Sequence, residues 1–217
     1  VVIPDVLEVA RELEEPLREL ACAGRIRFGP WYVLPDEFLV SAESLVRNLH
    51  YGHRIAERFG GPMKIGYVPD GFGHPAQLPQ VFAGFDIRRV VLWRGMGEEA
   101  EDLGTEFWWE ALDGTQALTV WMPRGYGNFA NLGYPTNWGD VRGYRPSVEE
   151  ADKRLREQLA ILRKYSRCDV YLLMNGLDHL PPQRELPDLL FALQKKHPDL
   201  EVRHGTFEDV FDEIEGR

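Results

Sequence analysis

Lys64-Ile65-Gly66-Tyr67-Val68-Pro69-Asp70-Gly71-Phe72-Gly73-His74 is the stretch on which the fold turns. After Lys64, residues 65–68 form an apolar run too short for a helix that ends at a proline, which predicts a buried strand. That strand runs directly into a carboxylate and an imidazole, set between glycines that permit backbone angles closed to other residues. Buried strands without alternation belong to parallel sheets covered by helices. In such sheets the chemistry gathers at the carboxyl ends of the strands.

The same arrangement recurs downstream. Arg89-Val90-Val91-Leu92-Trp93 reads as a buried strand that exits at Arg94-Gly95. Asp169-Val170-Tyr171-Leu172-Leu173-Met174 reads as the clearest strand of all and opens into Asn175-Gly176-Leu177-Asp178-His179. Short strands are also expected at residues 25–28 and 200–202, and a pair over 106–121 turns at Asp113-Gly114. Helices fill the intervals. One covers most of residues 1–24, ending at Gly24. A second starts at the N-cap Ser41 and buries Leu45, Val46, Leu49, Ile55 and Phe59. Further helices are expected over 77–83, over 186–195, from Thr206 onward, and after a capping box at Ser147 and Glu150. Residues 125–145, rich in Gly, Asn, Tyr and Pro, show neither periodicity and read as a substrate-facing loop. An open sheet and a closed barrel both satisfy this order.

The 217 residues are 44% hydrophobic and 12% aromatic, enough for a sizeable core, which excludes a wholly disordered chain. The formal charge of −10 repels phosphate backbones and anionic membranes, so neither nucleic acid nor membrane is expected as a partner. No apolar run is long enough to span a bilayer. The start, Val1-Val2-Ile3-Pro4-Asp5, has no leader character, and the expected location is cytoplasmic. Cys22 and Cys168 form no C-x-x-C pair; they are expected as buried, reduced thiols, with a disulfide as the alternative.

Three clusters can carry chemistry. Asp70 is suited to ligate a cation or to cap the next helix, and His74 to orient a neighbour or satisfy backbone. Asp178 beside His179 suits acid–base work or a turn. Trp31-Tyr32-Val33-Leu34-Pro35-Asp36-Glu37 interleaves aromatic faces with carboxylates, which suits sugar recognition as well as packing. Arg94 is placed to bind a ligand oxygen or to neutralise carboxylates. Phosphate-binding glycine motifs and the G-x-S-x-G elbow are missing from the sequence. Two carboxylates on separate strand exits remain, the pair that glycoside hydrolysis uses.

Residues 29–37, 43–49 and 66–80, in their order and content, resemble the bacterial branch of glycoside hydrolase family 38. The resemblance implies a retaining alpha-mannosidase built on a seven-stranded beta/alpha barrel of the glycoside hydrolase/deacetylase type, with zinc as cofactor and mannosides as substrates. It implies Asp70 as nucleophile and metal ligand, Asp178 as acid/base, and Trp31, Asp36, Arg94 and Tyr126 as pocket residues. The family's H-x-D-x-x-W zinc motif does not occur here. Residues 1–217 are therefore expected as a partial catalytic barrel domain, lacking the first strand and the C-terminal part. An opened barrel edge leads to either of two expected outcomes, a homo-oligomer paired through that edge or a rearranged, open sheet. Two alternatives stand beside this: another metal-dependent carbohydrate-active barrel such as a sugar deacetylase, and a non-catalytic carbohydrate-binding remnant.

Overall fold

The structure, a computed structural model, describes residues 2–217. It divides into two units, Val1–Gly95 with Trp108–Thr119, and Met96–Phe107 with Val120–Arg217.

In the first unit the expected N-terminal helix is two helices, α1 (Val2–Val9) and α2 (Glu14–Cys22), with a 3-10 turn at Arg11–Leu13 between them. Val1 lies outside the described residues. Leu7, Ala21 and Phe59 form a small core with Ile3, Leu17, Phe28 and Ile55 packed on it. Gly24, at φ +72°, ends the segment as expected. Helix α3 (Ala42–Ala56) begins where its cap predicts: the Ser41 hydroxyl accepts from the Ser44 amide at 3.2 Å, a contact worth about 1 kcal/mol. Its buried stripe is Leu45, Leu49, Gly52 and Ala56. Val46, expected inside, is 41% exposed, because it sits about 100° around the helix from Leu45. Gly52 is needed on that stripe, since a Cβ there would collide with the Pro30 carbonyl.

Strands β1 (Ile65–Val68) and β2 (Arg89–Leu92) pair in parallel, Ile65 opposite Arg89 and Val68 opposite Leu92. Helix α4 (Leu78–Ala83) lies in the crossover that parallel pairing requires. A hairpin of β3 (Glu106–Glu110) and β4 (Gln116–Trp121) completes one four-stranded sheet in the order β1-β2-β4-β3. Its turn matches the sequence signal: Gly114 takes φ +83°, and the Asp113 carboxylate accepts from the Thr115 amide.

The expected seven-stranded barrel is therefore not the architecture; the described residues form a mixed sheet of four strands with helices. Three expected strands fail to enter ladders. Residues 25–28 follow a helix end, where Arg25 N–H bonds back to the Leu20 carbonyl, and Phe28 accepts one bond from Met63. Residues 169–174 start from Asp169 in the left-handed region, φ +55°, and the Asn128 side chain takes Leu172 O and Met174 N–H. Residues 200–202 give Leu200 O and Val202 N–H to the Gln194 amide. In the last two segments side-chain amides do what strand neighbours would have done.

The second unit holds α5 (Glu99–Leu103), α6 (Val148–Leu162), α7 (Leu186–Lys196) and α8 (Phe207–Glu215). Leu155, Leu159, Leu186, Leu189 and Leu193 close its core with Phe129, Leu132 and Ala151. Truncating Leu193 to Ala would cost about 2–5 kcal/mol. The Ser147 box is half formed: its hydroxyl accepts from the Glu150 amide at 3.2 Å, while its own amide goes to the Gly133 carbonyl. Thr206 and Asp209 form the complete box. The two thiols are free, but Cys22 is exposed and Cys168 half-buried, contrary to the expectation of burial. No helix among the described residues is long and apolar enough to cross a membrane.

Candidate active site

Asp70 stands two residues past β1, and Arg94 two residues past β2. Parallel pairing puts both exits at the same end of the sheet, so the two side chains meet. Arg94 Nε donates to Asp70 Oδ1 at 2.5 Å. The guanidinium also lies 4.0 Å from the Trp93 ring centroid and 5.2 Å from that of Phe72. These faces restrict a long side chain through cation–π attraction. Both partners of the Arg94–Asp70 pair remain partly open to solvent, at 38% and 42%.

Further candidate residues come from the segment after the Gly29-Pro30 peptide. Trp31 is half-buried; its indole N–H donates to the Tyr67 carbonyl at 3.1 Å, and its ring packs on Phe82. The edge of the Trp31 indole is thus engaged with β1. It also lines an apolar groove of about 160 Å³ with Ile3, Phe28, Tyr32 and Ile55. No candidate carboxylate borders that groove, so it is separate from the Asp70 site. Asp36 is half-buried, and its charge acts on His74. Glu37, which its place among aromatics and carboxylates suggests as an acceptor of sugar hydroxyls, instead turns inward. Its side chain is fully buried, with Oε2 3.4 Å from His74 Nδ1. The approach is that of an ion pair without hydrogen-bond alignment. His74 Nε2 lies 2.9 Å from the Arg94 carbonyl, and its ring meets Trp109 edge-on at 5.8 Å. Burial pulls the His74 pKa down, but Glu37, the Arg94 carbonyl and Asp36 together outweigh it, and the net shift is upward.

In the second unit Asp178 is exposed and accepts a hydrogen bond from the Tyr126 hydroxyl at 3.0 Å. His179 beside it is exposed and holds φ +63°, a turn conformation. Three side chains fix the loop that carries Tyr126. Arg154 donates to the Ala130 and Tyr134 carbonyls at 3.1 and 3.2 Å. Gln183 bonds both the amide and the carbonyl of Leu132 and accepts from Asn175. Asn128 ties the loop to residues 172–174. None of the three carries a sequence signal, because a polar residue on an apolar helix or loop reads as solvent-facing until its partner is known. The structure therefore brings together Arg94 with Asp70 and Tyr126 with Asp178.

The comparisons with known proteins agree with one another. The sequence profile described as the glycosyl hydrolases family 38 N-terminal domain matches residues 6–217. The chain belongs to glycosyl hydrolase family 38. A relative in Halalkalibacterium halodurans, provisionally named mannosylglycerate hydrolase, is 32% identical over 99% of the chain. Human alpha-mannosidase 2C1 is 31% identical over 63% of it. The crystal structure of an alpha-mannosidase from Enterococcus faecalis V583 superposes over 100% of the chain with a TM-score of 0.89 at 29% identity. The chain spans 24% of the first relative, 12% of the second and 24% of that crystallised chain.

Zinc, the metal that the family resemblance implies, meets an incomplete shell. Among the described residues there is no group of three or more His, Cys, Asp or Glu side chains arranged to hold an ion. Asp70 offers one carboxylate, of which Arg94 already engages one oxygen. One ligand does not make a zinc site, which takes three or four.

Proposed function

We propose that this chain carries part of the active site of a retaining alpha-mannosidase, with Asp70 as nucleophile and Asp178 as acid/base. The observation that carries the reading is the Arg94–Asp70 contact at the shared exit of two parallel strands, in a chain of family 38. A carboxylate held through one oxygen keeps its second oxygen free of that arginine, and its orientation is fixed before substrate arrives. In the first step Asp70 attacks the anomeric carbon while Asp178 gives its proton to the departing oxygen. In the second step ionised Asp178 takes a proton from water, the water oxygen attacks the same carbon, and the bond to Asp70 breaks. The Tyr126 hydroxyl orients Asp178. Arg94 positions Asp70. The family resemblance adds Trp31 and Asp36 to the sugar pocket, Trp31 by shaping it from the side of β1. Zinc enters this proposal only as a partner of Asp70, and no step depends on it.

The substrate class proposed is mannosides, with the leaving group open between a neutral sugar or aryl group and the glycerate named for the Halalkalibacterium relative. The test uses the protein as its gene encodes it and a mechanism-based mannoside. The label should appear on Asp70 by mass spectrometry and vanish in Asp70→Asn. The first product released should be the alpha anomer. A label on another residue, or a beta product, would remove Asp70 from the nucleophile role. Parallel assays with an aryl alpha-mannoside and mannosylglycerate decide the leaving group.

A further inference from the structure

We infer that the buried pair Glu37–His74 is a positioning device that holds Arg94 against Asp70; for its catalytic meaning this rests on the reading above. Glu37 has no side-chain exposure, and neither carboxylate oxygen has an aligned hydrogen-bond partner. A carboxylate in that condition is costly, and an apolar side chain of the same size would fill the space without the cost. What it faces is an imidazole. His74 Nε2 lies 2.9 Å from the Arg94 carbonyl, which has no proton to give, so Nε2 is the donor. A neutral ring would then present the bare Nδ1 lone pair to Glu37 at 3.4 Å. The pair is attractive only with a further proton between them, on Nδ1 or on the carboxylate. Glu37 thereby fixes the plane and protonation of the ring, and the ring fixes the Arg94 carbonyl.

The glycines of the loop supply an independent observation. A Cβ at Gly71 would come 2.5 Å from Glu37 Oε2, and one at Gly73 would run into the Phe38 ring. A Cβ at Gly95 would come 2.8 Å from the His74 ring, and Gly95 holds φ +82°. The loop bearing Asp70 and the loop bearing Arg94 are thus both moulded on residues 37, 38 and 74. Arg94 is held at two ends, its carbonyl by His74 and its guanidinium by Asp70. Releasing the carbonyl end lets the strand exit shift, and displacements of an ångström at a reacting group can cost about 100-fold in rate.

The test compares Glu37→Leu, Glu37→Asp, His74→Gln and the Glu37→Leu/His74→Gln double variant in the protein as its gene encodes it. Each is measured for kcat and KM on an aryl alpha-mannoside and for melting temperature. Glu37→Leu fills the space without offering Nδ1 a proton, and should lower kcat by roughly 10- to 100-fold, with KM within about twofold and little change in melting temperature. Glu37→Asp should recover part of the loss. The double variant should be no slower than the worse single one, because both changes break one linkage. Wild-type kcat in Glu37→Leu, additive losses, or losses that only track melting temperature would overturn the inference. A crystal structure of Glu37→Leu supplies a readout independent of turnover. Arg94 Nε out of reach of Asp70 supports the device; an unmoved contact overturns it. Should the unaltered protein leave every mannoside intact, the hydrolytic reading falls, and this structural comparison still decides the positioning claim.

Discussion

At the scale of single residues, Asp70 and Asp178 differ in their surroundings, and that difference fits their proposed roles. Asp70 is gripped by Arg94, whose guanidinium lies over two aromatic rings. Asp178 is exposed and touches a neutral phenol, so solvent and protons reach it freely. A residue that must give and take a proton within one turnover needs such access. Asp178→Ala should therefore slow mannosides with poor leaving groups by roughly 10²–10⁴-fold, and those with strongly acidic leaving groups far less. Azide should accelerate the second step in this variant by replacing activated water, and should do little for Asp70→Asn. Steady-state rates on a series of aryl mannosides measure both effects. Equal losses across the series with no azide response would exclude Asp178 as the acid/base. Tyr126→Phe removes one hydrogen bond to a charged group and should cost about tenfold in the same assay.

At the scale of elements, the second unit is held by a charge cluster between α6 and α7. Asp152 on α6 accepts from Lys196 Nζ at 2.8 Å and lies 2.5 Å from His197 Nε2, with Arg156 at 3.1 Å. Its side chain is only 2% exposed, yet its cover is thin. Solvent is kept off by Lys196 and Arg156, themselves 46% and 65% exposed, rather than by depth. The Lys196 hydrogen bond, with His197 and Arg156, holds the Asp152 carboxyl below its ordinary range. A carboxyl depressed in the folded state stabilises above its unfolded pKa of about 3.9, and the contribution fades as pH falls through the folded value. Asp152→Asn should thus melt lower than the parent at pH 7, with the gap closing below about pH 4. Thermal melts across that range measure it; a gap independent of pH would reduce the cluster to packing. Such contacts mark the limit of what the sequence reveals. Ser41, Gly24, Thr206 and the Asp113-Gly114 turn were legible because caps and turns are local chemistry. Residues 169–174 were misread because a continuous apolar run says that a segment is buried, not what satisfies its backbone. Asn128, 44 residues away from Leu172, decides that. Glu37 was hidden likewise: a carboxylate beside Asp36 reads as a sugar ligand, and only the fold turns it inward toward His74.

At the scale of the whole molecule, the family was readable because its signature resides in contiguous segments, while the architecture was not. The order of strands and helices was compatible with a barrel, but the described residues form four strands, two in parallel and two in a hairpin. Ligand sets obey the same logic as strands: they are assembled from distant positions, and one member does not imply the others. Asp70 has the character of a metal ligand, but no second and third His, Cys, Asp or Glu gather with it into a metal-holding group among the described residues. Zinc affinity depends steeply on ligand number, since each protein donor replaces a water already bound to the ion. The 217-residue chain purified alone should accordingly retain well under one zinc per molecule after dialysis, and should show no turnover of an aryl alpha-mannoside above background. The protein as its gene encodes it, handled identically, should hold zinc stoichiometrically and turn over the same substrate. Elemental analysis beside the activity assay separates the cases. Full zinc and comparable turnover in the short chain would require a shell built from residues that the structure keeps apart, and would overturn the assignment of Asp70 as its lone ligand here.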